Sequence, residues 1–254
     1  MNLKHAFHAA VISATLFFPT ALFADDAPFY TRDPLDIAAQ LPPPPADASP
    51  AGMADLETIL QVQKDRTPEQ VKRATSVAGN TTFSMGTKVF GSKFTPENLP
   101  RTSAILYKAR LGLRKVLQPA KKNWSRERPS VRDGRVKPCV AIPKANNYYS
   151  YPSGHSSAEA LFFAFYSEAM PEYAALFEDY VRETMWCRVI GGVHYPTDTQ
   201  AGHMLGKLVA EEMLKNQSTR NAIAEMRAEI LDFLKKHPDA LESAEAAKKK
   251  AARR

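Results

Sequence analysis

The chain has 254 residues, 44% hydrophobic and 24% charged, a balance that supplies one sizeable globular core and argues against a disordered polymer. The net charge is +7, but Lys248, Lys249, Lys250, Arg253 and Arg254 supply five of those charges at the C-terminal end. Charge alone therefore gives little ground for a nucleic-acid partner.

Residues 1–24 read as a secretory signal. Lys4 begins it, Ala9 to Phe18 form an apolar run, and Ala24 offers a small residue before Asp25-Asp26. The run is short for a membrane span and Pro19 interrupts it, so a soluble, periplasmic or secreted protein without transmembrane segments is expected. Cys139 and Cys187 permit one disulfide in an oxidising compartment, with two buried thiols as the other reading.

Residues 25–54 form a Pro-rich leader around Pro42-Pro43-Pro44-Pro45, which favours extended backbone. From residue 55 to 238 helical signals dominate. Leu56, Ile59, Leu60 and Val62 suggest one helix, and Thr67-Pro68-Glu69-Gln70 reads as a capping box with proline in the first turn. Ile105, Leu106, Ala109, Leu113, Val116 and Leu117 recur at helical spacing. Leu161 to Tyr166 is apolar all round, as in a buried central helix, followed by Pro171. A helix reaching about Ile190 is broken by Gly191-Gly192. Ser156 to Glu159, Thr197 to Gln200 and Ser218 read as further helix starts, and His237-Pro238 as the last stop. No stretch alternates with period two. The expected fold is a single all-α domain, with residues 239–254 as a disordered basic tail.

Three clusters carry chemistry. Lys121 and Arg128 are seven residues apart, which on a continuous helix puts two cations on one face, suited to a phosphate dianion. Ser153-Gly154-His155 precedes the apolar helix. A helix start offers free N–H groups to an anion, Gly154 permits close backbone approach, Ser153 adds a hydroxyl, and His155 can give a proton to a leaving oxygen. Arg188 adds a third cation. His194 lies four residues before Asp198, which can accept from one ring nitrogen and leave the other free to attack phosphorus. Taken singly, each cluster also fits a solvated face, a helix cap or a core histidine.

In order and spacing, Lys121-x6-Arg128-Pro129, Pro152-Ser153-Gly154-His155 and Arg188-x5-His194-x3-Asp198 resemble the three-part signature of the PAP2 superfamily. The leader and signal resemble its bacterial class A nonspecific acid phosphatases in particular. The resemblance implies an all-α bundle of the acid phosphatase–vanadium haloperoxidase type. It also implies hydrolysis of small-molecule phosphate monoesters with no cofactor and no metal. Lys121, Arg128, Arg188, Ser153 and Gly154 would hold the phosphoryl oxygens. His194 would form a phosphohistidine, His155 would protonate the leaving alcohol and then activate water, and Asp198 would orient His194. Cys187 stands where the family pattern has Ser. Because His155 must be protonated while His194 is free, an acidic optimum is expected. A vanadium haloperoxidase, a lipid phosphate phosphatase and a non-catalytic phosphate or nucleic-acid binder are the competing readings. A homo-oligomer is compatible with the sequence.

Overall fold

The computed structural model describes residues 29 and 33–251. The expected signal segment and its cleavage site lie outside them. Eleven α-helices are present among the described residues: α1 Pro34–Ala38, α2 Pro50–Asp65, α3 Pro68–Ala78, α4 Ser84–Phe90, α5 Pro100–Trp124, α6 Pro129–Arg132, α7 Gly154–Ala169, α8 Ala174–Ile190, α9 Pro196–Leu214, α10 Gln217–Lys236 and α11 Pro238–Ala251. No strand occurs among these residues. Proline opens α1, α2, α3, α5, α6, α9 and α11, where its missing N–H would have had no intrahelical partner.

The capping box of α3 forms as read, with Thr67 Oγ1 accepting from Gln70 N at 3.3 Å and Gln70 Oε1 from Thr67 N at 2.8 Å. Three other starts shift. Ser153, not Ser156, caps α7. Tyr195 is the cap position of α9, and Asp198 accepts from its backbone N–H. Asn216 caps α10 by accepting from Ser218 N. In each case the true cap lies two or three residues upstream, because a hydroxyl or carboxylate inside the first turn can bond backwards as well as forwards.

Two boundaries also move. The leader is part of the domain: Ile37 and Leu41 are buried in the main core, and Pro42 O accepts a hydrogen bond from the Tyr151 hydroxyl at 2.5 Å. The segment expected as a disordered tail is helical through Ala251, with Ala240 and Ala244 buried in the same core. Two small apolar residues four apart suffice to dock a helix whose other faces are charged.

Helix α7 is the centre of the bundle. It lies against α9 along most of its length, with α8 and α5 on other sides. The approach of α7 to α9 is close because α9 carries glycine at the contact. A Cβ on Gly202 would fall 2.4 Å from Ser153 O, and one on Gly206 would fall 2.2 Å from Ser157 O. Gly206→Ala is therefore expected to destabilise the protein by about 1–3 kcal/mol, since backbone must move to admit the methyl group. Gly134→Ala, whose Cβ meets nothing within 4 Å, serves as control. Urea unfolding midpoints of the two variants measure the difference.

Candidate active site

The three sequence clusters converge at one end of the α7–α9 pair. Lys121 ends the buried face of α5. Arg128 does not share its helix face. Helix α5 stops at Trp124, Ser125 turns left-handed at φ 43°, and Arg128 returns as the residue before α6. A loop, not helical periodicity, brings the second cation to the first. Gly154 opens α7 beside α5, and a Cβ there would stand 3.3 Å from Leu117 Cδ2.

His194 is 2% exposed and sits between two groups. Arg128 Nη1 is 2.7 Å from its Nε2 and donates to it, because a guanidinium cannot accept. Its Nδ1 faces Asp198 Oδ2 at 3.4 Å. The Arg128 donation sets the neutral tautomer with the proton on Nδ1 and a lone pair on Nε2; Nδ1 faces the carboxylate but makes no hydrogen bond among the described residues. Burial, followed by the charges of Arg128, Lys121 and Arg188, holds the imidazole well below its ordinary value.

Asp198 is fully buried. Its carboxylate accepts from Arg126 Nη1 at 2.6 Å, Ser150 Oγ at 2.6 Å and Tyr195 N at 2.9 Å. Burial pushes the carboxyl up, against the pull of Arg126 and these donors. Arg126 also donates from Nη2 to Asp55 at 2.9 Å, and Thr197 bonds to Asp55 in turn. The guanidinium lies over the Tyr195 ring, 4.2 Å from its centroid.

Arg188, near the end of α8, is buried, and its Nε and Nη1 have no hydrogen-bond partner among the described residues. Lys121 Nζ donates to Tyr149 O at 2.7 Å and Pro152 O at 2.6 Å, and burial with Arg128 nearby lowers it to about 7. Ser153 Oγ accepts from Ser156 N and contacts Ser156 Oγ, so its observed role is to cap α7. His155 Nε2 lies 3.2 Å from Ala78 O, and burial, then Arg188, lower it to about 4.

A cavity of about 390 Å³ opens onto Lys121, Arg128, Gly154 and His155. His194 and Arg188 are not part of that lining; His194 lies next to it through its contact with Arg128. Tyr149 also lines the cavity, whereas Tyr148 is exposed and Tyr151 is buried against Trp124. His203 and His237 lie on α9 and at the end of α10, outside the cavity lining.

Several residues escaped the sequence reading. Arg126 and Asp55 are 71 positions apart, and nothing local joins them. Glu159 lies one turn beyond His155 on α7, lines the cavity, and is held up to about 8 by burial. Its four-residue offset from His155 was the available signal. The cysteines are free. Cys187 is buried among Ala74, Val77, Val140, Ile190 and Val193, and Cys139 packs on the edge of that cluster with its thiol donating to Ile190 O at 3.6 Å. The expected disulfide is thus replaced by apolar packing and a weak hydrogen bond.

Residues 102–222 match the PAP2 superfamily. Over 200 residues it is 28% identical to the non-specific acid phosphatases of Salmonella typhi and Salmonella typhimurium, covering 76% of this chain and 79% of each relative. Among solved structures, a bacterial vanadium-dependent iodoperoxidase superimposes with a TM-score of 0.55 at 18% identity, over 70% of this chain. The match spans 53% of that enzyme's length, and at this identity the likeness is one of fold. No described helix is long and apolar enough to cross a membrane.

Two outcomes follow from the buried charges. Arg126→Met leaves Asp55 and Asp198 without their cation and should cost about 3–5 kcal/mol at pH 7. The deficit should shrink in acid, where the Asp198 carboxyl, pushed up by burial, can be neutral; chemical denaturation at pH 7 and pH 4.5 measures it. Glu159 is protonated in the folded state up to about 8 but titrates near 4.3 when unfolded. Its contribution to stability is full below that lower value and is lost as pH rises through 8. Glu159→Gln should therefore remove a fall in unfolding midpoint between about pH 4.3 and pH 8, stabilising the protein more at pH 8 than at pH 5.

Proposed function

We propose that the protein is an exported acid phosphatase, acting on phosphate monoesters through a phosphohistidine on His194. One observation carries this reading. A buried imidazole with its lone pair on Nε2 is surrounded by Arg128, Lys121 and Arg188, and Arg188 keeps two buried donors without partners. Unmet buried donors are costly, and a dianionic phosphoryl group meets them. The acid phosphatase relatives support the same chemistry, and the Lys4 to Ala24 segment supports export to the periplasm.

In the first step the phosphoryl oxygens take the Arg188, Lys121 and Arg128 donors, and the Arg128 guanidinium leaves Nε2. The Nε2 lone pair then forms a bond to phosphorus as the ester oxygen departs with the P–O electron pair. Protonated His155 supplies the proton that neutralises the departing alkoxide. Asp198 stabilises the Nδ1–H of the resulting phosphoimidazole. Water then attacks phosphorus, His155 takes its proton, and the P–N bond breaks to regenerate His194 and release phosphate. Positioning and charge stabilisation do most of the work, as phosphoryl transfer requires.

His155 held near 4 by burial and cations is poorly protonated at neutral pH. A bound dianion raises it, and activity should fall as pH rises above about 6.5. The test is phosphate release from p-nitrophenyl phosphate between pH 4 and 9, with rapid quenching in base to trap acid-labile phosphohistidine. His194→Ala should abolish both turnover and trapped label; label persisting in that variant would sink the mechanism. His155→Asn should lose about 10²–10⁴-fold on an alkyl phosphate and much less on p-nitrophenyl phosphate, whose leaving group needs no proton.

A further inference from the structure

Helix α5 brings more charge to the cavity than a single phosphate needs. Arg110, Arg114 and Lys121 line it, with Leu113, Leu117 and Gln118 between them, at the three- and four-residue spacing that keeps side chains on one helix face. Arg110 and Arg114 make no ion pair or hydrogen bond with the described residues. The helical rise places Arg114 about 10 Å from Lys121 along the axis, away from the reacting phosphorus.

Glu159 lines the same cavity, close enough to Arg110 to feel its charge. It is 2% exposed, and its Oε1 accepts from Asn80 Nδ2 at 2.9 Å, while Oε2 is buried with no partner among the described residues. At acid pH this carboxyl is neutral, so it leaves the two guanidiniums uncancelled and offers an O–H on the partnerless oxygen. An anionic acceptor meets both needs.

We propose that Arg110 and Arg114, with the Oε2 edge of Glu159, form a second anion subsite, and that the preferred esters carry a second negative group, phosphate or carboxylate, on the departing alcohol. This rests on the phosphatase reading and adds a substrate class to it. The subsite binds the second group away from the reacting phosphorus, so its effect belongs in KM and not in kcat.

Two matched pairs test it. Fructose 1,6-bisphosphate is compared with fructose 6-phosphate, and 3-phosphoglycerate with glycerol 3-phosphate. Wild-type kcat/KM should favour the doubly anionic member by about tenfold or more, equivalent to about 1.4 kcal/mol. Arg110→Gln/Arg114→Gln should erase that ratio through KM. A preference in one pair alone identifies the second group as phosphate or as carboxylate. Ratios within twofold in both wild-type pairs, or a ratio that survives in the double variant, overturn the proposal. If no ester is hydrolysed, the phosphatase reading fails. The affinity ratios of the same pairs, measured by calorimetry on both proteins, then decide the subsite by the same criterion.

Discussion

The site depends on one buried carboxylate. Asp198 takes Arg126 from the turn after α5, Ser150 from the loop before α7 and Tyr195 N from its own helix start, and faces Nδ1 of His194. Its backbone oxygen also accepts from Ser153 N at 2.9 Å. All three sequence clusters therefore meet at one residue. A buried anion without donors would be costly, so each segment is drawn toward it. The imidazole orientation, the α7 cap and the turn that delivers Arg128 share that origin. Arg126 has the same central role from the cationic side, because it serves Asp198 and Asp55 at once.

The cations of the cradle are destabilised by their own assembly. Burial lowers Lys121 to about 7 and Arg128 and Arg188 to about 10. Arg128 shares its charge with a histidine lone pair and a main-chain oxygen, Val193 O at 2.6 Å. A phosphoryl dianion offers these groups a better partner than the protein does. Stability is given up locally so that binding energy is available to the ligand, a division common at functional sites. The packed glycine contact between α7 and α9 holds this unfavourable cluster in place.

Much of this was legible in the sequence. The helix periods, the capping box at Thr67 and the three motif spacings located α3, α5 and α7–α9 and brought Lys121, Arg128, His155, Arg188, His194 and Asp198 forward together. What stayed hidden depends on distance in the chain. Asp55 acquires meaning only through Arg126, which looked like one more cation in a basic run. Lys121 and Arg128 seemed to share a helix because seven residues make two turns, and a left-handed Ser125 cannot be read from its neighbours. Helix α11 was missed because its buried stripe is two alanines in a charged stretch. The cysteines were read by compartment, and their packing is decided by α3 and the loop holding Val140.

The main core runs without a break from Phe29 and Ile37 to Ala240 and Ala244. A ribosome delivers Phe29 and Ile37 long before Ala240 and Ala244. Helices α1 through α10 can gather as they appear, but the apolar surface around α4 and α8 that α11 covers stays wet until α11 emerges. Until then the nascent chain presents that patch to any neighbour, the interval in which exposed apolar surface invites aggregation or a chaperone. Covering that surface is therefore the step of folding that waits for α11.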